Sequence, residues 1–316
     1  MNLTAAQQTR IAAIAYEVRI RAPMALATSF GSTVDGPSGG YAVPVDAAEA
    51  ILMPATGALL PLCREVPITR GNSIELPLDT ATPYGSDGVI AAWEGEGGEL
   101  PQRKPKLDMD RFQLKKLVAL VPVTDELLDD SAALAAWLPL ALQTAVTLKV
   151  NDSIVNGPGV ARPLGIRNSD ALITVDKEGG QAAGSIVEAN ISHMLDRSLS
   201  PMDSVWLANP SAYSKIIMLG TWDGATRTLA GLPVVTTDSC AAPGTPGDLI
   251  LADMRYYVAA TKTPQLNGSM HLWFDRDITA FKLVFRMDGM PALSAPVTPP
   301  NASATKSHFV TTAVRA

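Results

Sequence analysis

Apolar and polar residues alternate at Ile74, Leu76 and Leu78 within CREVPITRGNSIELPLD, residues 63–79, which predicts a strand with one covered face. Pro83, Gly85 and Gly88 then supply turn chemistry. The chain returns through VIAAWEGEGGELPQRKPKLDMDRFQLKKLVALVPVTDE and ends in the strand-like LKKLVALVPV. The two runs predict a long hairpin. Fully extended, Cys63 to Asp79 spans about 50 Å at about 3.3 Å per residue, against a radius of gyration of about 20 Å for a compact chain of this length. A two-stranded ribbon alone is marginal in water. An arm this long therefore needs a neighbour to lie on, more readily another subunit than the body of its own chain.

Upstream, Ile11, Ile14 and Val18 form one apolar stripe, predicting a helix over the first 28 residues. TSFGSTVDGPSGG, residues 28–40, reads as a connector, and Val45 to Leu52 as a short helix. Downstream, Thr124 is suited to cap a helix whose first turns carry Asp125, Glu126, Asp129 and Asp130. Leu127, Ser131, Leu134, Leu138 and Leu142 keep helical spacing, with a kink or fresh start at Pro139 and a stop at Gly157-Pro158-Gly159. From 160 to 262 the pattern is mixed. SIVEANISHMLDRSL and SAYSKIIMLG read as helices; SVWLANP, LPVVTT and GDLILADMRYYVAA read as strands. In HLWFDRDITAFKLVFRMDG, Phe281, Leu283, Phe285 and Met287 face one way and Lys282, Val284 and Arg286 the other, as in a strand with one solvated face. No internal repeat is evident.

The composition fits this picture. The 316 residues allow about two domains, and 47% hydrophobic residues supply a sizeable core. No uncharged apolar run approaches the ~20 residues that span a bilayer, and the N-terminus lacks the pattern of a secretory signal. Two cysteines, Cys63 and Cys240, make neither a disulfide framework nor a four-cysteine zinc site. The 24 prolines are spread along the chain, pointing to strand edges and extended arms. A net charge of −6 excludes a surface that grips nucleic acid all over. The first 28 residues carry the opposite sign, with Arg10, Arg19 and Arg21 against Glu17. Those arginines suit contact with nucleic acid, or equally a solvated helix face or an acidic neighbouring surface.

Candidate chemistry is sparse. His193, His271 and His308 lie far apart without metal-ligand spacing and read as surface or packing histidines. Gly95-Glu96-Gly97-Gly98 lacks the Lys-Ser/Thr of a phosphate loop and reads as a bend in the arm. No nucleophile elbow is present, and Cys63 beside Arg64 reads as a half-buried thiol. Neither cofactor, metal site nor catalytic residue is expected. The expected contacts lie on the arm, at Ile74, Leu76, Leu78, Trp93 with Glu94, and Arg103, Lys104 and Lys106.

In order along the chain, Gly39-Gly40-Tyr41-Ala42-Val43-Pro44, Leu59-Leu60-Pro61, Trp93-Glu94, LKKLVALVPVTDELLDDS, NGPGVARPLGI (156–166), VWLANP (205–210), LAGLPVV (229–235), GDLILAD (247–253) and Arg286-Met287-Asp288-Gly289 form a set of landmarks. This ordered set resembles the major capsid proteins of tailed bacteriophages, the Hong Kong 97-type fold. The resemblance implies an α+β chain: an N-arm (1–40), an extended E-loop (63–115), and a peripheral domain (41–62, 116–158 and 263–300) with a long spine helix. An α/β axial domain (159–262) and a C-terminal tail (301–316) complete it. It further implies hexamers and pentamers of this chain in an icosahedral shell around double-stranded DNA, assembled in the host cytoplasm, with a portal protein and possible decoration proteins as partners. Many relatives begin with a fused scaffolding segment; with none ahead of the N-arm here, scaffolding is expected from a separate protein or not at all, unless the chain is a processed product. The expected arm tip, Asp79 to Val89, has no lysine, so the lysine–asparagine crosslink of some relatives is not expected. The competing readings are an encapsulin-type nanocompartment shell and a two-domain α/β enzyme.

Overall fold

The computed structural model describes residues 57–79, 93, 107–125 and 132–315. The helix expected near Val45, the N-arm with Arg10, Arg19 and Arg21, and Gly95 to Gly98 lie outside them. Among the described residues the strands are β1 (Arg64–Pro67), β2 (Ser73–Asp79), β3 (Leu107–Gln113), β4 (Lys115–Thr124), β5 (Leu172–Val175), β6 (Val205–Ala208), β7 (Trp222–Asp223), β8 (Thr228–Leu229), β9 (Leu232–Thr236), β10 (Leu249–Ala252), β11 (Tyr257–Trp273), β12 (Ile278–Pro291) and β13 (Phe309–Thr312). The helices are α1 (Ala132–Asn156), α2 (Glu188–Asp196) and α3 (Pro210–Ile217). The strands form three sheets, ordered β1-β11-β12-β4, β5-β13-β10-β6-β9-β8-β7 and β2-β3.

The chain divides into two compact units. One contains Val118–Val146 and Pro264–Val284. Here the turn between β11 and β12 is fixed by Asp277 in the left-handed region, with φ 52°. The Asp277 carbonyl accepts from the Asp125 amide at 2.9 Å, and Thr279 Oγ1 donates to Asp125 Oδ1 at 2.6 Å. The other unit contains Ala55–Leu117, Thr147–Thr263 and Phe285–Ala316.

The seven-stranded sheet belongs to this second unit. β6 and β10 are all apolar and their residues are almost entirely buried, as for strands covered on both faces. Ile191 and Met194 of α2 and Ala212 and Ile216 of α3 pack onto the sheet with Trp206, Leu249, Leu251 and Val310. α3 starts where local chemistry dictates: Pro210 occupies its first turn and the Asn209 side chain accepts from the Ser211 amide at 2.8 Å. In α2 the reverse half of a capping box is present: the Asn190 side chain, in the first turn, reaches back to accept from the Val187 amide. Asn151 of α1 accepts from the Leu59 amide and donates to the Gly57 carbonyl, pinning the chain where its described part begins.

Two differences from the sequence pattern stand out. Residues 301–316, expected as a tail, contain β13, which sits inside the sheet, parallel to β5 and antiparallel to β10. Residues 63–79, expected as one extended strand, are two. β1 pairs in parallel with β11, Arg64 opposite Val258 through Pro67 opposite Thr261. β2 belongs to a separate ribbon, and the break falls at 68–72, where Gly71 takes φ 81°, a conformation glycine adopts without steric cost. α1 runs through Pro139 without interruption and ends at Asn156, before Gly157. On β12, Phe281, Leu283, Phe285 and Met287 are buried, as the alternation predicts.

Candidate assembly surface: the ribbon and its root

β2 and β3 pair antiparallel from Ser73 opposite Gln113 to Asp79 opposite Leu107. Seven pairs at about 3.4 Å each make a ribbon of about 24 Å. One face carries the pairs Ile74–Phe112 and Leu76–Asp110; the other carries Glu75–Arg111, opposite charges directly across the ladder, and Pro77–Met109.

The first face is turned onto the subunit's own body. Phe112 is fully buried with Ile68, Leu114, Val258 and Ala260, and Ile74, Leu76, Val66, Met290 and Ala292 pack around them. Ile74 and Leu76 therefore sit at the ribbon's root in intramolecular contact. On the other face Met109 is 60% exposed. Trp93 is fully exposed. Leu78 stands opposite Asp108 in the ladder, and its side chain lies outside the described part, as do Glu94, Arg103, Lys104 and Lys106.

The root is built around a buried carboxylate, Asp288 of the last landmark segment, to which the sequence pattern assigned no role. Asp288 is 4% exposed on β12, and a buried aspartate needs partners to offset its desolvation. Its Oδ2 accepts from the Gln113 amide at 2.9 Å. Its Oδ1 accepts from the Lys115 ammonium and from the Gly289 amide, each at 2.9 Å. Lys115 Nζ also donates to the Gly159 carbonyl at 2.9 Å. Leu114, the residue between β3 and β4, is buried, and its amide donates to the Asn72 carbonyl at 2.9 Å. The ribbon thus leaves the body where both its strands break, at 68–72 and at Leu114. The available signal was Asp288 itself, a charged residue in a buried stretch between Met287 and Gly289.

Two landmark segments far apart in sequence meet beside this root. The Leu164 amide donates to the Gly289 carbonyl at 2.8 Å. Gly165 folds back on Gly157, its amide donating to the Gly157 carbonyl at 2.9 Å. A Cβ on Gly165 would overlap the Gly157 amide and the Val155 carbonyl.

Cys63, Cys240 and His308 are buried. Burial, then Glu65, pushes the Cys63 thiol up to about 12. Burial, then Asp248, does the same at Cys240, pushing it to about 12. Thiols held protonated this firmly are not nucleophiles near neutral pH. His308 is buried against Tyr256, ring centroids 3.5 Å apart and nearly parallel, and burial lowers its pKa. His193 is exposed and pairs with Glu178 at 2.9 Å; His271 is exposed. Among the described residues no group of His, Cys, Asp and Glu is arranged to hold a metal ion, and no described helix is long and apolar enough to cross a membrane.

The fold is that of phage capsid subunits. The capsid of an empty GTA particle superposes with a TM-score of 0.68 at 17% identity, covering 92% of this chain and 100% of that one. A structure from Microbacterium phage Oxtober96 gives 0.60 at 13%, covering 90% and 99%. One from Mycobacterium phage Adephagia gives 0.59 at 13%, covering 89% and 98%. The architecture is Hong Kong 97-type, α+β as expected. No curated protein matches the chain. The sequence model of the Phage capsid family matches residues 39–302, most of the chain, and the chain belongs to that family.

Proposed function

We propose that this chain is the major capsid protein of a tailed double-stranded DNA bacteriophage. Copies assemble as hexamers and pentamers into the icosahedral head shell, and the chain acts as a structural protein of the virion rather than as an enzyme. The family match over residues 39–302 carries the reading, and the ribbon supports it. Among the described residues β2–β3 pairs with no third strand, and a two-stranded ribbon is marginal in water, so its outer part gains cover from an adjoining copy. Trp93 and Met109 are exposed, as contact residues must be. Leu78, Glu94, Arg103, Lys104, Lys106 and the N-arm residues Arg10, Arg19 and Arg21 are the further contact candidates, with Ile74 and Leu76 bracing the ribbon from below. Weak contacts repeated around a closed symmetric surface give collective stability.

A portal protein is the partner this role calls for, with a scaffolding protein and a decoration protein where assembly uses them, and packaged DNA is held by weak, non-specific contact in keeping with an acidic chain. Purified particles treated with nuclease test the genome-holding role. Protected double-stranded DNA inside them is expected in particles from infected cells; a co-purified enzyme with no DNA would instead establish a nanocompartment.

A further inference from the structure

We propose that Asp288 is a positioning residue for assembly: it fixes the direction in which the ribbon leaves the subunit. The proposal rests on the shell-forming role above and adds the group that aims the arm.

Leu114 is the single residue between β3 and β4. A one-residue break between two strands is where a ribbon swings, since a single pair of backbone dihedrals absorbs the change. Asp288 spans that break. Through Oδ2 it holds the backbone of Gln113, the last ribbon residue, and through Oδ1 the ammonium of Lys115, the first residue of β4. The matching break on the other strand is held from the same unit. Arg286 Nη1 donates to Asn72 Oδ1 at 3.4 Å, and Lys262 Nζ donates to the Gly71 carbonyl at 3.1 Å. Asp288 alone among these is buried, so its bonds are the least screened and the most costly to leave unmade. Its other contacts are equally fixed. Gly289 donates to it, and Lys115 is held on the far side by the Gly159 carbonyl. The carboxylate thus joins ribbon, sheet strand and the 157–165 loop at one point.

The test is Asp288→Asn in the full chain, with Lys115→Met as a second variant that removes the ammonium and leaves the carboxylate's backbone bonds. Ile216→Val, in the core of the seven-stranded sheet, serves as a control for general destabilisation. Hydrogen exchange on unassembled subunits reads the ribbon directly. Amides of 107–113 should exchange roughly tenfold faster in Asp288→Asn while those of β6 and β10 do not change. Electron microscopy of assembled material should show particles of broadened diameter or open sheets for Asp288→Asn and Lys115→Met, and uniform shells for Ile216→Val. If Asp288→Asn fails to fold, the same two measurements on Lys115→Met decide the matter. Uniform shells of wild-type diameter with unchanged ribbon exchange would overturn the proposal while leaving the shell-forming role intact. Absence of shells from the wild-type chain under every assembly condition would instead overturn that role.

Discussion

The Tyr257 hydroxyl donates to the Leu164 carbonyl at 2.9 Å, joining the start of β11 to the glycine-rich loop after α1. Gly289 lies against the same ring, where a Cβ would come within 2.8 Å of Tyr257 Cε1 and 2.9 Å of its hydroxyl oxygen. Tyr257 is fully buried. Three segments separated in sequence are thus locked by one phenol ring and one missing side chain.

Tyr257→Phe should therefore cost about 1 kcal/mol, the loss of a part-buried hydrogen bond. Gly289→Ala should cost more, because the ring and β11 cannot both stay in place. Urea unfolding of unassembled subunits measures both; a smaller loss for Gly289→Ala than for Tyr257→Phe would contradict the close packing.

Arg315 and Asp248 form an ion pair with both side chains buried. Asp248 also accepts from the Gly244 amide at 2.8 Å and Thr312 Oγ1 at 3.0 Å, while Nε and Nη1 of Arg315 have no hydrogen-bond partner among the described residues. Breaking such a pair costs far more than replacing it. Arg315→Met alone should lose about 3–5 kcal/mol, and Arg315→Met with Asp248→Asn should recover much of that. Additive losses in a double-mutant cycle would show that the two charges do not compensate one another.

The cysteines give a pH dependence of definite sign. In the unfolded chain they ionise near 9.0, whereas burial holds both near 12 in the fold. Between those values the folded state binds more protons, so stability falls as pH rises, by up to about 1.4 kcal/mol per thiol for each pH unit. Cys63→Ala with Cys240→Ala should remove most of the decline between pH 8 and 10. Native subunits at pH 8 should also resist thiol alkylation until unfolded. Rapid labelling of the native protein would disprove the burial of both thiols.

The amount of this architecture legible in the sequence follows the range of the interactions. Phe281 to Met287 declared β12 because a half-covered strand writes its burial in a two-residue period. The run SAYSKIIMLG declared α3 by its pattern, whereas Asn209-Pro210, read with the preceding strand, proves to be its cap and first residue. By contrast β13 is four residues with no alternation, all four buried. Thr311 and Thr312 tolerate that site only because their hydroxyls reach the Leu249 carbonyl and Asp248, partners more than sixty positions away. Arg70-Gly71-Asn72 carried a turn signal, but the apolar residues on either side made β1 and β2 look like one strand. The intramolecular packing of Ile74 and Leu76 depends on Phe112 and Val258, which no local pattern connects to them. Asp288 showed in the sequence only as a charge among apolar residues, since its partners at 113 and 115 come from the end of β3 and the start of β4.

The central claim is that the ribbon finds its missing cover on adjoining copies. Replacing residues 77–109 with an Asn-Gly turn, which favours a tight hairpin, keeps the four root pairs from Ser73–Gln113 to Leu76–Asp110 and removes the rest. Sedimentation and electron microscopy of this variant beside the full chain are the most direct measurement. The account predicts folded, dispersed subunits from the variant and closed shells of uniform diameter from the full chain; closed shells of the same diameter from both would contradict it.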